Sequence, residues 1–116
     1  MLSAAEITVE ALALKLRSKD QFVLLDVREP AELERARIVD ARTAPAPMSS
    51  LARLGLGGLP EMARSKDAEI LVLCHSGVRS AQVAAWLASS GWTRAFTVSG
   101  GIKEYARKVD PSVGSY

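Results

Sequence analysis

Ile70-Leu71-Val72-Leu73-Cys74-His75-Ser76-Gly77-Val78-Arg79-Ser80-Ala81-Gln82-Val83-Ala84-Ala85-Trp86-Leu87 joins an apolar run, a short loop and a helical pattern, and its reading decides the fold. The run at 70–73 is preceded by charge at Asp67 and Glu69 and contains β-branched residues, which marks a strand buried on both faces of a parallel sheet. The segment over 80–90 is rich in alanine, carries Val83, Trp86 and Leu87 at helical spacing, and stops at Gly91. A strand that passes directly into a helix leaves its loop at the carboxyl end of the sheet, where open α/β folds place ligands. Cys74 begins that loop. The first amides of the helix have no intrahelical partner and point at whatever the loop holds, so they would stabilise a thiolate and an anionic substrate beside it.

Outward from this unit, strands and helices alternate. Ile7 reads as a short strand or entry residue, and Thr8 as the cap of a helix with Val9, Leu12, Ala13 and Leu16 on one face, ending near Lys19-Asp20. Phe22-Val23-Leu24-Leu25-Asp26-Val27 is a second near-continuous apolar strand. Pro30 starts a short helix over 31–36. Pro45 and Pro47 exclude a central strand, leaving room for a short edge strand before Pro45. Ser49 or Ser50 is expected to cap a helical turn through Leu51 and Leu54, which Gly55-Leu56-Gly57-Gly58 breaks, and 60–65 forms another short helix. Ala95-Phe96-Thr97-Val98 is a last strand, and Ser99-Gly100-Gly101 a tight turn into a helix over 102–108. This order predicts an α/β domain with a mainly parallel sheet and helices on its two faces.

Length and composition bound the function. The chain has 116 residues, 48% of them hydrophobic and 24% charged, as in an ordinary globular domain with a single core. No apolar run approaches a membrane span, and Met1-Leu2-Ser3-Ala4-Ala5-Glu6 lacks the form of a secretory signal. The net charge is +2, with fifteen basic residues interleaved among thirteen acidic ones, so neither nucleic acid nor a membrane surface is an expected partner. One cysteine permits no internal disulfide and no resolving thiol, and the expected compartment is reducing, the cytoplasm. One histidine leaves no metal cluster of standard spacing.

A lone cysteine is ordinarily a small core residue. Here the context points to chemistry. Gly77 lets successive amides face inward as an anion nest, and Arg79 brings a permanent charge and a planar fork of donors. Together with His75, Ser76, Val78 and Ser80 these features describe a nucleophilic sulfur in an anion-binding cradle. Cysteine-dependent phosphatases place one more residue between cysteine and arginine than the four found here. The tighter ring fits the terminal sulfur of a persulfide better than a phosphate group.

At these residues the chain resembles the rhodanese family of sulfurtransferases. Leu25-Asp26-Val27-Arg28-Glu29-Pro30 with Glu32-Leu33 is similar to that family's early signature. Cys74-His75-Ser76-Gly77-Val78-Arg79-Ser80 is similar to its active loop, and Val98-Ser99-Gly100-Gly101-Ile102 to its late glycine turn. Val109-Asp110-Pro111-Ser112-Val113-Gly114-Ser115-Tyr116 resembles the tails of some single-domain members and of modules on larger activating enzymes. The resemblance implies that residues 1–116 form one rhodanese-like domain, a three-layer α/β fold with a mainly parallel five-stranded sheet flanked by helices. It implies a two-step transfer in which Cys74 takes sulfur from thiosulfate or a protein persulfide and passes it to cyanide, a small thiol or a protein thiol. The sequence departs from the family at Arg37-Ile38-Val39-Asp40-Ala41, where a His-Ile-Pro-Gly-Ala-like segment is common, and at Tyr105, in place of a tryptophan.

Several residues carry two readings. His75 tunes or gates Cys74, or is a solvated loop position. Arg28 lines the pocket as a substrate contact, or forms a structural ion pair with Asp26 or Glu29. Arg79 stabilises the transferred anion, or bridges loop carbonyls and holds the cradle shut. Trp86 and Trp92 are packing residues. At the level of function, the sulfurtransferase competes with a persulfide carrier serving a partner enzyme, with a cysteine phosphatase or arsenate reductase on the same scaffold, and with an inactive scaffold.

Overall fold

The computed structural model describes residues 4–116, so the reading of Met1-Leu2-Ser3 lies outside the described residues. Five strands, β1 (Ala5–Ile7), β2 (Val23–Asp26), β3 (Thr43–Pro45), β4 (Ile70–Leu73) and β5 (Ala95–Val98), alternate with helices. The α-helices are α1 (Val9–Arg17), α2 (Pro30–Leu33), α3 (Met48–Leu54), α4 (Val78–Ser89) and α5 (Gly101–Lys108). All strand pairs are parallel, in the order β1-β5-β4-β2-β3. The expected parallel sheet is therefore present, with β4 at its centre.

β4 is buried along its whole length because it has a strand on each side and helices on each face. Side chains alternate between faces. Ile70, Val72 and Cys74 join Val23, Leu25 and Val27 on one face, under Leu51 of α3 and Val83, Ala84 and Leu87 of α4. Leu71 and Leu73 join Leu24 and Val98 on the other, under Val9 and Leu12 of α1 and Ile102 and Tyr105 of α5. Tyr105, the expected departure from tryptophan, is a core residue. Trp92 is buried too and donates its indole N–H to the Ala63 carbonyl at 2.9 Å, in keeping with its reading as packing.

The element ends depart from expectation where distant residues intervene. Thr8 does cap α1, its Oγ1 accepting from the Ala11 amide at 3.1 Å. The helix stops at Arg17, short of Lys19-Asp20, because Arg42 donates to the carbonyls of Leu16 and Ser18 and satisfies the helix end. α2 ends at Leu33 and not at Ala36, since Ala36 leaves the helix to bridge Gly114 and the Arg37 amide donates to Val113. No serine caps α3. It begins at Met48, whose amide donates to Val27, and Ser49 lies inside the first turn and binds the Glu29 carboxylate. The segments Gly55–Gly58 and Glu61–Ala63 are 3-10 turns. Pro45 sits within β3 itself, where an edge position tolerates a missing N–H. α4 starts at Val78, two residues before the expected start, so Val78 and Arg79 belong to its first turn.

Candidate active site

A parallel sheet gathers the carboxyl ends of all its strands on one edge, and Cys74 emerges from the central strand there. Its sulfur is buried, 1% exposed, at the foot of α4. The Gly77 amide donates to Sγ at 3.1 Å and the Ser80 amide at 3.3 Å. As a thiol, Sγ donates in turn to Ser80 Oγ at 3.3 Å, and Ser80 Oγ shares a 2.7 Å hydrogen bond with Thr97 Oγ1 of β5. Both hydroxyls are buried. Of the inward-facing amides expected of the loop and the helix start, those of Gly77 and of Ser80, in the first turn of α4, reach the sulfur directly.

The loop presents amides inward because its carbonyls are held outward. The amide of Ile102 donates to the Cys74 carbonyl at 2.9 Å and that of Lys103 to the His75 carbonyl at 3.0 Å, so the first turn of α5 binds the backbone of the loop. This approach requires Gly101: its φ is +62°, and a Cβ there would fall on those two carbonyls. Gly77, at φ +103°, abuts Gly100 in the same way, with a Cβ 3.2 Å from the Gly100 amide nitrogen.

Arg79 does not bridge loop carbonyls. Its Nη1 and Nη2 donate to Oε1 and Oε2 of Glu32 at 2.6 and 2.8 Å. Glu32 Oε1 also accepts from the Glu29 amide, and Oε2 from the Tyr116 hydroxyl at 2.7 Å. The Arg79 guanidinium holds the Glu32 carboxyl down at about 2, with the Tyr116 and Glu29 donors adding to the effect against the opposing influence of burial. The same ion pair raises Arg79.

His75 and Arg28 both contact Tyr116. The His75 ring stacks on Tyr116 with centroids 4.2 Å apart, and its Nε2 lies 3.1 Å from the Tyr116 backbone oxygen. Arg28 is fully buried, with Nε and Nη2 on the two oxygens of Asp26 at 2.9 and 2.7 Å and Nη1 on the Glu32 carbonyl and the Tyr116 hydroxyl. Of its two readings the geometry matches the structural ion pair, and solvent does not reach it as a pocket wall would require. Ser76 and Val78 form the exposed rim of the loop.

Three residues at the site, Thr97, Glu32 and Tyr116, were given no site role from the sequence, although Glu32 and Tyr116 fall in segments that resemble family motifs. Thr97 announced itself only as a polar residue in an apolar strand. Glu32 stands at the third position of α2, after Pro30 and Glu29, where an acidic residue reads simply as a helix-start signal. Nothing near Tyr116 in sequence points to Glu32. Among the described residues no group of three or more His, Cys, Asp or Glu side chains could hold a metal. A depression of about 680 Å³ opens at the opposite edge of the sheet, but its charged walls are tied to one another, Arg42 to Asp40 and Arg94 to Glu69. No helix among the described residues is long and apolar enough to cross a membrane.

Comparison with known proteins gives a consistent picture. The model of the rhodanese-like domain family matches residues 8–108. A sulfurtransferase of Allochromatium vinosum is 33% identical over 108 residues, covering 93% of this chain and 94% of that protein. The rhodanese-like/PpiC domain-containing protein 12 of Arabidopsis thaliana is 37% identical over 116 residues, but this chain spans only 37% of its length. Among solved structures, the single-domain sulfurtransferase RDL2 of Saccharomyces cerevisiae superposes with a TM-score of 0.73 at 26% identity, covering 98% of each chain. SSP1007 of Staphylococcus saprophyticus superposes equally well, at 27% identity, over 90% of this chain and 96% of that one.

Proposed function

The chain belongs to the rhodanese-like domain family, and on that premise we propose that it is a sulfurtransferase using Cys74 as a persulfide carrier. The observation that carries the reading is the sulfur of Cys74 lying at a helix N-terminus, within reach of the Gly77 and Ser80 amides and the Ser80 hydroxyl. Such fixed dipoles stabilise negative charge on sulfur without reorganising during the reaction. The similarity to the Allochromatium sulfurtransferase over nearly the full length of both chains supports the same reading.

In the first step the Cys74 thiolate attacks the outer sulfur of a sulfane donor. With thiosulfate, a new S–S bond forms, the donor's S–S bond breaks, and sulfite departs with the electron pair. In the second step an acceptor attacks the outer sulfur of the Cys74 persulfide; cyanide leaves as thiocyanate, a thiol as its persulfide, and the Cys74 thiolate is regenerated. No electron carrier and no cofactor enter the scheme. Because the chain has one cysteine, the acceptor must come from outside it. The tight loop, with four residues between Cys74 and Arg79, favours this chemistry over phosphate-ester or arsenate chemistry.

The test is the intact mass of the reduced protein after thiosulfate or cysteine persulfide, and again after cyanide. A gain of about one sulfur, roughly 32 Da, mapped to Cys74 and removed by cyanide, is the expected result. A mass unchanged by both donors rejects the reading.

A further inference from the structure

The cation of the loop is already matched by a carboxylate. Arg79 gives both terminal nitrogens to Glu32, in a pair whose side chains are only 32% and 20% exposed. Glu32 is held from three directions: by Arg79 in α4, by the Glu29 amide at the start of α2, and by the Tyr116 hydroxyl, which itself accepts from Arg28. The carboxylate is thus fixed beside the cradle by contacts that do not depend on a substrate. A dianionic donor must either draw Arg79 away and leave the Glu32 carboxylate without its cation, or settle beside that carboxylate as a like charge, and each course is unfavourable. A donor that brings one charge or none has no such need. The rim it would meet includes Val78, 66% exposed and uncharged.

We propose that Glu32 is a positioning residue that sets donor specificity, holding Arg79 so that the cradle favours alkyl persulfides over thiosulfate. The inference rests on the sulfur-transfer reading above and names its donor class. With the favoured donor the Cys74 thiolate attacks the outer sulfur of R–S–SH. The Cys74 S–S bond forms, the donor's S–S bond breaks, and R–S⁻ leaves with the electron pair while the proton stays on the transferred sulfur.

The experiment compares the wild-type chain with Glu32→Gln and Tyr116→Phe, using thiosulfate and cysteine persulfide as donors and cyanide as common acceptor. Glu32→Gln keeps the size of the side chain and removes its charge. It is expected to raise kcat/KM for thiosulfate about tenfold, chiefly through KM, while changing that for cysteine persulfide less than about twofold. Tyr116→Phe frees one side of Glu32 and moves the thiosulfate-to-persulfide ratio in the same direction by a smaller factor. It is an independent test should the first variant fold poorly. Equal losses with both donors, or an unchanged ratio in both variants, would overturn the specificity role and leave Glu32 as a structural partner of Arg79. Failure of wild-type Cys74 to take sulfur from either donor is a different result: it removes the sulfur-transfer reading itself, and this inference with it.

Discussion

The Ile102 amide donates to the Cys74 carbonyl across 2.9 Å, so the helix after β5 holds the backbone of the cysteine that follows β4. The contact exists because Gly101 has no side chain and adopts φ +62°. Gly101→Ala is therefore expected to cost about 2–4 kcal/mol of stability and to abolish sulfur uptake. Gly55→Ala is the control: φ is +60° and ψ −142° there, a conformation close to glycine's own region, but a Cβ meets nothing within 4 Å, so a conformational cost of about 1–3 kcal/mol should appear with sulfur uptake retained. Denaturant unfolding with an unchanged slope measures both.

Ser80 links the sulfur to Thr97. Ser80→Ala removes the hydroxyl and leaves Thr97 Oγ1 buried without that partner, at a cost of about 1–3 kcal/mol. Adding Thr97→Val should recover much of the stability without recovering the transfer rate. Recovery of both would show that the hydroxyl serves only the packing.

Arg28 and Asp26 form a pair with both side chains essentially buried. Arg28→Ala strands the Asp26 charge and should lower stability by about 3–5 kcal/mol. A loss confined to KM, with the unfolding curve unmoved, would instead return Arg28 to the pocket wall.

The Glu32 carboxyl sits at about 2 in the folded chain, below its ordinary 4.5. The folded state binds this proton less tightly than the unfolded state, so the pairing with Arg79 stabilises the fold fully above 4.5 and is lost as pH falls towards 2. Thermal unfolding of the wild type should therefore decline more steeply across that window than unfolding of Glu32→Gln. Parallel curves would mean that the ion pair adds nothing to stability.

Inserting one glycine after Gly77 would widen the ring between Cys74 and Arg79 and move the Ser80 amide away from Sγ. Sulfur uptake should slow by at least about tenfold, since a misplacement near 1 Å already costs that much or more. An unchanged rate would count against the tight loop as the basis of selectivity.

Local pattern accounts for much of this molecule. The apolar runs at 22–27 and 70–73 hold the two most buried strands, β2 over 23–26 and β4 over 70–73, and Thr8 caps the helix it precedes. Where a segment departed from its pattern, a remote group supplied the reason. α1 ends early on the donors of Arg42, α2 ends early because Ala36 pairs with Gly114, and α3 begins at Met48 because Val27 accepts its amide. The site divides in the same manner. Cys74, Gly77 and Ser80 belong to one strand–loop–helix unit, so their proximity follows from contiguous residues, while which amides reach the sulfur is set by the loop's conformation.

By itself the sequence determined the parallel α/β architecture and the place of Cys74 between a strand and a helix, because apolar periodicity and a glycine-containing loop act over a few neighbouring residues. The tertiary structure alone decided what surrounds that cysteine. Arg79 meets Glu32 from 47 positions away and Tyr116 meets it from 84, while Thr97 closes on Ser80 from the neighbouring strand. Such partners are chosen by how the chain crosses the sheet, and side-chain charge or polarity in the sequence does not reveal which of many candidates the fold will bring within hydrogen-bond distance.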